Sequence, residues 1–318
     1  MRSELYQQLN SRNGFVSGEA LSAQLGVTRA ALWKHIKAMQ ADGAEIESAT
    51  GMGYKLISPP DLPRAEYLAA HVQPGIAIHY ADSVTSTNDD AKRTAQQDDS
   101  ATGVFIAGEQ TAGKGRKGRT WQSAPDQGVY MSFLLRPKID PALLSGLTLA
   151  AAVSLCNAIE QVSGQSVGIK WPNDIVIDGK KAAGILTESM LDMDGVEYIV
   201  CGIGLNTGTA RFAGELKDTA TSLGQHQPVN RMLLAAAVID AVVRGYETFL
   251  RDGIAAFMPE FRKRSVLSGN VRIILPASEE AGTLAGFDDT GAIIIEQNGE
   301  TKRFVAGEVS LRGENGYV

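Results

Sequence analysis

A cation-rich segment with three glycines lies in the first half of the chain. Residues 113–119 read GKGRKGR and carry four cations, and no Asp or Glu occurs between Gln110 and Ala124. Like charges packed this closely repel one another, and the glycines free the backbone to curl around a ligand. A polyanion would neutralise the cations, and guanidinium groups match phosphate oxygens in geometry. The segment is therefore a candidate phosphate-binding loop.

Two familiar glycine motifs fit this segment less well. Residues 108–114 have the glycine and lysine spacing of a Walker A loop, but Gly115 stands where that motif needs a Ser or Thr hydroxyl. Gly113, Gly115 and Gly118 also satisfy G-x-G-x-x-G, yet residues 119–125 do not open an apolar-faced helix as a dinucleotide-binding turn requires. From this segment alone, the alternative to a phosphate-binding loop is a solvated, mobile basic loop that binds no ligand.

A second polar cluster begins at Lys170, where the chain reads KWPND. An apolar stretch and the turn at residues 178–179 follow, and then the sequence KKAAGIL over residues 180–186. This pattern predicts two strands joined by a glycine-containing turn, with polar groups at the strand ends. Three further segments share this polar or glycine-rich character: TSTN at 85–88, EQ at 109–110 and GIGLN at 202–206.

Together these motifs resemble those of the biotin protein ligases. The glycine and arginine loop, the KWPND segment and the downstream lysine occur in the family's order and at similar spacing, over nearly the whole chain. The resemblance implies a three-domain α+β protein: a winged helix-turn-helix unit, a mixed β-sheet with helices of the class II synthetase-like biotin/lipoate ligase fold, and a small SH3-like β-barrel. It also implies an ATP-dependent ligase that converts biotin to biotinyl-5′-AMP and then transfers it to a carrier lysine.

The chemistry of such a ligase explains its need for cations. A carboxylate is a poor acyl donor because its leaving group would be oxide, so it is first joined to AMP while pyrophosphate leaves. The carboxylate and the α-phosphate are both anionic, so fixed cations and a metal ion must hold them together. The resemblance assigns this catalytic role to Arg116, Arg119 and Lys181. Lys181 is preferred to Lys180 because it directly precedes residues 182–185, which line the pocket in the family.

The resemblance also assigns ligand-binding residues. Those expected to bind biotin are Ser86, Thr87, Asn88, Gln110, Gly113, Lys114, Arg116, Lys181, Gly184, Leu186 and Gly204. Those expected to bind ATP or the adenylate are Lys114, Arg116, Arg119, Trp121, Asn173, Asp174, Lys181, Asn206 and Arg312, with Asp174 also the candidate Mg²⁺ ligand. Taken singly, Ser86 or Thr87 is as well suited to cap the following helix as to bind a ligand. Ordering of the basic loop and of residues 207–222 is expected to shield the adenylate from water.

The first sixty residues predict a winged helix-turn-helix unit. Two short helices, at 5–9 and 17–25, precede a third helix that Thr28 caps, and the alternating stretch 45–56, broken at 51–53, predicts the wing. The third helix buries Leu32, Ile36 and Met39. Its opposite face and the two helix starts supply the candidate DNA contacts: Ser17, Thr28, Arg29, Trp33, Lys34 and Lys37.

Two interpretations of this unit remain open. Residues 1–56 carry six Lys or Arg against five Asp or Glu, and Met52 occupies the wing tip, so the electrostatic attraction to DNA is weak. The unit is either a repressor domain that binds operator DNA upstream of biotin synthesis genes or a docking module of a ligase that does not bind DNA. We favour the repressor because the cations concentrate on the exposed face of the third helix. A ligand-promoted homodimer would present two such helices to an operator with two half-sites.

Prolines divide the chain into domains. Residues 59–63 read PPDLP, which sustains neither a helix nor a central strand and predicts a linker, so the domain limits are 1–60, 61–267 and 268–318. The middle domain is expected to contain helices at 88–97, 141–162 and 230–251 and strands at 104–107, 129–135, 168–170, 175–177, 183–191 and 197–203. The last domain is expected to contain strands at 271–275, 282–288, 292–297 and 301–305.

Composition narrows the class of protein. The 318 residues are 44% hydrophobic and 21% charged, and the apolar runs are short, which predicts a cytoplasmic protein without membrane association. Cys156 and Cys201 lie far apart and the four histidines lack metal-ligand spacing, so both thiols are expected to be buried and structural zinc is not expected. A net charge of −6 argues against general coating of nucleic acid.

Three further expectations concern partners and alternatives. The resemblance implies that the acceptor is the biotin carboxyl carrier protein of acetyl-CoA carboxylase or of a related biotin enzyme. A lipoate or octanoate ligase shares this adenylation logic, but the chain lacks the R-R-x-S-G-G-G type of signature. A biotin sensor without turnover is disfavoured because Arg116 and Lys181 are both present.

Overall fold

The N-terminal unit has the predicted winged helix-turn-helix form. The computed structural model describes residues 1–193, 195–275, 278–306, 310–314 and 316–318. Ser17 and Thr28 cap the second and third helices by accepting backbone N–H groups, and Gly26 ends the second helix at φ 64°. The helices and the wing strands are α1 (Arg2–Asn10), α2 (Gly18–Leu25), α3 (Arg29–Ala41), β1 (Glu45–Ala49) and β2 (Gly53–Ser58).

A seven-stranded mixed sheet forms the middle of the described chain. Its strands are β3 (Ile78–Val84), β4 (Gly103–Gln110), β5 (Gly128–Leu135), β6 (Gly168–Lys170), β7 (Asp174–Ile177), β8 (Lys180–Asp192) and β9 (Gly195–Asn206). Their order is β3-β4-β5-β9-β8-β7-β6, and only the β3–β4 pair is parallel. The helices of this part are α4 (Ala65–Leu68), α5 (Thr87–Gln97), α6 (Leu144–Ser163), α7 (Arg231–Asp252) and α8 (Met258–Arg264).

Most strands and helices lie where the sequence predicts them, and the differences have local causes. The predicted helix at 141–162 begins as a 3₁₀ turn over residues 141–143 before α6 starts. Strand β8 begins three residues earlier than predicted because Lys180 and Lys181 already pair with β7. Strand β3 was not predicted. It lies at the sheet edge, and its more buried and more exposed residues do not alternate regularly along the strand.

Helix α6 is the one described helix that is long and apolar enough to cross a membrane by composition. Its apolar window lies in the stretch Pro141–Ser163, and 67% of that window is buried inside the protein. The helix packs against α7 and β8, which is the placement of a core helix. Cys156 and Cys201 are both buried, as predicted. Burial raises the pKa of each thiol to about 12, so neither is a reactive thiolate at neutral pH.

The C-terminal residues form a five-stranded antiparallel sheet. Its strands are β10 (Asn270–Ile274), β11 (Glu279–Phe287), β12 (Ile293–Gln297), β13 (Glu300–Phe304) and β14 (Ser310–Gly313), in the order β13-β12-β11-β10-β14. Four of these strands match predicted ones, and β14 was not predicted. The β-rich character of this part is therefore confirmed, while closure into an SH3-like barrel stays a prediction.

Candidate active site

A narrow cavity lies between the start of α5, the basic loop and the middle strands of the sheet. Most of the predicted biotin ligands line it, together with Met131, Ile185, Gly202 and Ile203: Ser86, Thr87, Asn88, Gln110, Lys114, Arg116, Lys181, Gly184, Leu186 and Gly204. The loop is folded over this cavity and leaves a void of about 40 Å³. A void of this size holds a few water molecules, so a bicyclic ligand requires the loop to move.

The basic loop turns its cations in different directions. Lys117 and Gly118 have φ values of 55° and 72°, and this left-handed turn lets the Gly115 N–H donate to the Arg119 carbonyl at 2.7 Å. The turn carries Arg116 inward, where its guanidinium donates to Asn173 Oδ1 at 2.8 Å. Arg119 points into solvent and does not line the cavity. Of the two predicted arginines, Arg116 joins the loop to the KWPND segment by a hydrogen bond, whereas Arg119 acts on it through its charge, which contributes to lowering the pKa of Lys170.

The two neighbouring lysines of β8 have different surroundings. Lys181 Nζ lies 2.5 Å from Asp174 Oδ1, on the cavity side of the strand. Lys180 instead donates to the Lys217 carbonyl at 3.2 Å, away from the cavity. Successive side chains of a strand point to opposite faces, so only one of the pair can reach a ligand in the cavity. That residue is Lys181.

Trp121 covers the floor of the cavity. Its indole lies against Gly204, where an added Cβ would be 2.5 Å from Trp121 Cε2, and near Gly184 at 3.3 Å. The Lys181 ammonium is 5.3 Å from the indole ring centroid. The indole N–H is buried and has no hydrogen-bond partner among the described residues. An unsatisfied buried donor costs about 1 to 3 kcal/mol, so an acceptor supplied by a ligand would be stabilising here.

A buried hydrogen-bond network forms the opposite end of the cavity. Gln110 Oε1 accepts from the Thr87 N–H at 2.9 Å and lies 3.1 Å from the Thr87 hydroxyl, while Gln110 Nε2 donates to Ser123 Oγ at 2.8 Å. The Ser132 hydroxyl lies 2.7 Å from Thr87 Oγ1 and 2.6 Å from Asn88 Oδ1. These contacts fix the rotamers of the candidate ureido-binding residues before any ligand arrives.

The network continues to the far end of β8. Asn88 Nδ2 donates to Glu188 Oε2 at 2.7 Å, and Lys92 Nζ lies 2.5 Å from Glu188 Oε1. Ser86 stands at the N-cap position of α5, makes no side-chain capping bond and is one of the residues that line the cavity. Sequence reasoning missed Ser132 and Glu188, although a serine inside the apolar strand VYMSFLL was a signal for a functional polar group.

The phosphate side of the cavity involves the last described residues. The Tyr317 hydroxyl donates to Asp174 Oδ2 at 2.5 Å, and the Lys170 ammonium lies 3.4 Å from the Tyr317 ring centroid. Burial lowers the pKa of Lys170 to about 7; Asp174 opposes this shift, and the nearby Arg312 contributes to it. The structure therefore brings Arg312, on β14, into the electrostatic surroundings of the KWPND segment. No sequence signal singled out Tyr317.

Several predicted ligands have other partners. Lys114 Nζ lies 2.5 Å from Asp89 Oδ1 in the first turn of α5, so its charge is already neutralised although it borders the cavity. Asn206 is buried and donates to the Thr221 carbonyl at 3.0 Å, and it does not line the cavity. Gly113 is buried, and its carbonyl accepts the Trp121 N–H at 2.9 Å. Asn206 thus makes a scaffolding contact with residue 221, and its place beside the nucleotide stays a prediction.

The exposed face of α3 carries the predicted DNA contacts. Trp33 is 53% exposed, and Lys37 Nζ lies 5.8 Å from its ring centroid. Arg29 forms an exposed ion pair with Glu19 at 3.2 Å, and Lys34 is exposed. The structure thus presents Trp33, Lys34 and Lys37 on the exposed face of α3, and contact of this face with DNA stays a prediction.

The fold and the cavity together are typical of one class of ligases. In this class a mixed β-sheet carries the site, and a basic loop closes over a cavity that contains a lysine and a carboxylate. Residues 80–206 match the model of the biotin/lipoate A/B protein ligase family. Residues 2–55 match a helix-turn-helix domain, and residues 270–312 match the biotin protein ligase C-terminal domain. The chain belongs to the biotin/lipoate A/B protein ligase family.

Named relatives share nearly its full length. The bifunctional ligase/repressor BirA of Bacillus subtilis is 34% identical over 317 residues, with 97% of each chain covered. The BirA of Escherichia coli is 31% identical over 304 residues, with 94% of this chain and 93% of the relative covered. The solved biotin protein ligase of Aquifex aeolicus in complex with biotin and ATP superposes with a TM-score of 0.66 at 29% identity, covering 74% of this chain and 99% of that one.

Proposed function

We propose that the protein is an ATP-dependent biotin protein ligase that also represses transcription in response to biotin. The observation that carries the ligase activity is the convergence of Arg116, Lys181 and the unpaired Trp121 N–H on one cavity. Two cations and a free donor around a small-residue floor suit a carboxylate that reacts with a phosphate. The full-length relatives named ligase/repressor support both activities.

In the first half-reaction, a biotin carboxylate oxygen attacks the α-phosphorus of ATP and pyrophosphate leaves. Lys181 would leave its ion pair with Asp174 and neutralise the reacting oxygens, and Arg116 would bind the phosphates in place of Asn173. Arg119, exposed in the ligand-free chain, would reach the phosphates only when the loop moves. In the second half-reaction the carrier lysine amine attacks the acyl carbon, and AMP leaves.

The biotin bicycle would bind at the network end of the cavity. Ser86, Thr87 and Gln110 would form hydrogen bonds with the ureido group. The glycine floor at Gly184 and Gly204, which the Trp121 indole covers, would leave room beside the ring and acyl tail once the loop moves. Ureido groups need both donors and acceptors, and an unpaired one costs about 1 to 3 kcal/mol when buried. This requirement favours biotin over lipoate or octanoate, which lack an ureido group.

Mg²⁺ fits the residues at the phosphate side. Asp174 supplies a hard carboxylate oxygen, and no cluster of three or more His, Cys, Asp or Glu able to hold a metal occurs in the described part of the chain. The ion would therefore take its remaining ligands from the triphosphate and water, as Mg²⁺ commonly does. Bound there, it would neutralise phosphate charge. Asp174 must first be released by Lys181 and Tyr317.

The acceptor we propose is the biotin carboxyl carrier protein of acetyl-CoA carboxylase or a related biotin enzyme. Relatives from Paracoccus denitrificans and Mycobacterium tuberculosis, 30% and 31% identical over 65% of this chain, are named biotin--[acetyl-CoA-carboxylase] ligases. We further propose domain limits of 1–60, 61–267 and 268–318, an SH3-like barrel for the last domain, and a cytoplasmic location.

For the repressor activity, α3 would enter the major groove of operator DNA. Trp33, Lys34 and Lys37 lie on its exposed face, and a ligand-promoted homodimer would place two copies of this face on two half-sites. Ser17, Thr28 and Arg29 would contact the phosphates from the helix starts.

ATP–pyrophosphate exchange tests the ligase proposal. We expect exchange with biotin but not with lipoate or octanoate, and a loss in Arg116→Ala and Lys181→Ala but not in the neighbouring Lys180→Ala. Exchange with lipoate would show that the cavity binds lipoate, and the assignment of its residues to biotin would be wrong. Biotin binding without exchange would make the protein a sensor. A mobility-shift assay with and without biotin and ATP, using Trp33→Ala as the control, separates the repressor from a ligase that does not bind DNA.

A further inference from the structure

A buried arginine joins the interdomain linker to the turn that follows the basic loop. The Arg231 backbone N–H donates to Asp61 Oδ1 at 2.7 Å, and its Nε donates to Asp61 Oδ2 at 2.6 Å. The same guanidinium lies 2.9 Å from Asp126 Oδ1. Arg231 begins α7, Asp61 belongs to the proline-rich linker, and Asp126 stands five residues after Trp121. We call these three residues the Arg231 bridge.

On the loop side, the bridge holds a strained turn. Asp126 has a φ of 60°, a left-handed conformation that non-glycine residues rarely adopt. Residues 124–127 are otherwise tied to the sheet: the Ala124 carbonyl accepts from the Tyr130 hydroxyl at 3.0 Å, and the Gln127 carbonyl accepts from the Thr207 N–H at 2.9 Å. Among the described residues, the charged contact that connects this turn to the linker runs through Arg231.

On the linker side, the bridge connects to the C-terminal end of α3, the helix that carries the predicted DNA contacts. The Asp61 N–H donates to the Asp42 carbonyl at 3.0 Å, and Asp42 is the residue that ends α3. Asn230, which caps α7, donates to the Pro60 carbonyl at 3.1 Å. A continuous series of hydrogen bonds thus runs from the end of α3 through the linker and Arg231 to the turn after Trp121.

We propose that Arg231 is a positioning residue for the basic loop. It holds the turn at 124–127 against the linker, so that the closed position of Trp121 over the cavity depends on the linker being in place. The proposal rests on the proposed function, which makes residues 113–121 the cover of the adenylate. A purely structural joint would affect folding but not the retention of ligand.

The charges of the bridge allow a mild test. The side chains of Asp126 and Asp61 are 69% and 36% exposed, whereas that of Arg231 is 10% exposed. Neutralising one carboxylate leaves the buried guanidinium paired with the other, so neither single variant strands a buried charge. Asparagine also tolerates the left-handed conformation at position 126. Asp126→Asn therefore removes the charge while keeping the turn.

The experiment compares Asp126→Asn, Asp61→Asn and the double variant in the full chain. Each is incubated with biotin and ATP, and we measure the release rate of biotinyl-adenylate and the trypsin cleavage of the basic loop. Asp99→Asn, an exposed carboxylate between α5 and β4 and outside both the bridge and the predicted cover of the adenylate, is the control. We expect each single variant to release adenylate about threefold to fivefold faster, to lose part of the protection from trypsin, and to keep the ligand-free melting temperature.

The double variant decides whether both carboxylates act through Arg231. We expect its adenylate release to be no faster than that of the more impaired single variant, because either change interrupts the same connection between linker and turn. Its guanidinium has lost both carboxylates, so release and trypsin cleavage are compared at a temperature where its melting curve shows the protein fully folded. Effects that multiply, or release and protection equal to wild type, would overturn the proposal. Pyrophosphate exchange by the wild type, measured first, tests the ligase activity itself. The two hypotheses can therefore fail separately. Pyrophosphate exchange reports the ligase activity, whereas protection from trypsin requires only that biotin and ATP bind and so reports the effect of the bridge.

Discussion

Gly204→Ala should weaken biotin binding by preventing Trp121 from closing again beside Gly204 after the ligand has entered. The added Cβ would lie 2.5 Å from Trp121 Cε2, closer than non-bonded carbons approach each other. Strand β9 is held on both sides by β5 and β8, so the backbone at Gly204 cannot retreat. The indole belongs to a loop and can move away, so the strain is relieved by opening the cover rather than by unfolding the sheet.

The size of the effect follows from the packing. Extra methyl groups in well-packed sites cost about 1 to 3 kcal/mol. Since the loop yields, we take the lower half of this range, which corresponds to about tenfold in KM for biotin. The free energy of unfolding should change by less than about 1 kcal/mol. Gly14→Ala is the matched control, because nothing lies within 4 Å of a Cβ added there.

Pyrophosphate exchange at varied biotin concentration measures this effect, and a second variant tests its cause. On a Trp121→Ala background, Gly204→Ala should add little, because the group it displaces is already gone. If Gly204→Ala impaired the Trp121→Ala protein as strongly as it impairs the wild type, the methyl group would act on something other than the indole. That result would refute the assignment of Trp121 as the cover of the cavity.

Three further predictions concern single side chains. Lys181→Met should lower pyrophosphate exchange at least about 100-fold, whereas Lys180→Met should stay within about twofold, because only Lys181 faces the cavity; equal losses would contradict this. Asp42→Ala should lower the urea-derived free energy of unfolding by about 3 kcal/mol, because this buried carboxylate accepts hydrogen bonds from two arginines and a tyrosine; unchanged stability would show that solvent replaces them. Burial lowers the pKa of His71 from its ordinary 6.5, and its Nε2 lies 2.6 Å from the Tyr6 hydroxyl. The folded state then binds fewer protons than the unfolded state below about pH 6.5, so stability falls as the pH drops. His71→Gln should make the melting temperature depend less on pH between pH 7 and 5. If this dependence were unchanged, groups other than His71 would cause it.

Local signals explain which parts of the fold were predictable. The caps Ser17 and Thr28, the left-handed Gly26 and the apolar spacing of α3 are all set within a few residues, and the predicted helices match the structure. The order of the seven central strands depends on pairings between distant residues, such as β5 with β9, which no local pattern specifies. The resemblance to a family supplied the overall architecture instead.

The candidate site divides in the same way. The resemblance to the biotin protein ligases favoured Lys181 over Lys180, because Lys181 directly precedes the segment that lines the pocket in that family. The two-residue period of β8 gives the two lysines different neighbours in the structure, while the catalytic role of Lys181 stays a prediction. Ser132 was missed because a single polar residue in an apolar strand reads as a tolerated exception. Arg231 was missed because a cation at a helix start resembles a solvated surface residue, and only the tertiary structure reveals its two carboxylate partners.

The repulsion among the loop cations, inferred from sequence, has a structural answer in the ligand-free chain. Lys114 is neutralised by Asp89, Arg116 donates to Asn173, and Lys117 and Arg119 extend into solvent. The loop cations therefore do not crowd together, because each has a different partner or faces solvent. A triphosphate must compete with Asn173 for Arg116 and with Asp174 for Lys181. The first exchange replaces a neutral acceptor by an anionic one and is favourable, whereas the second replaces one anionic partner by another. The closed loop is thus a temporary arrangement whose contacts a bound nucleotide can take over one at a time.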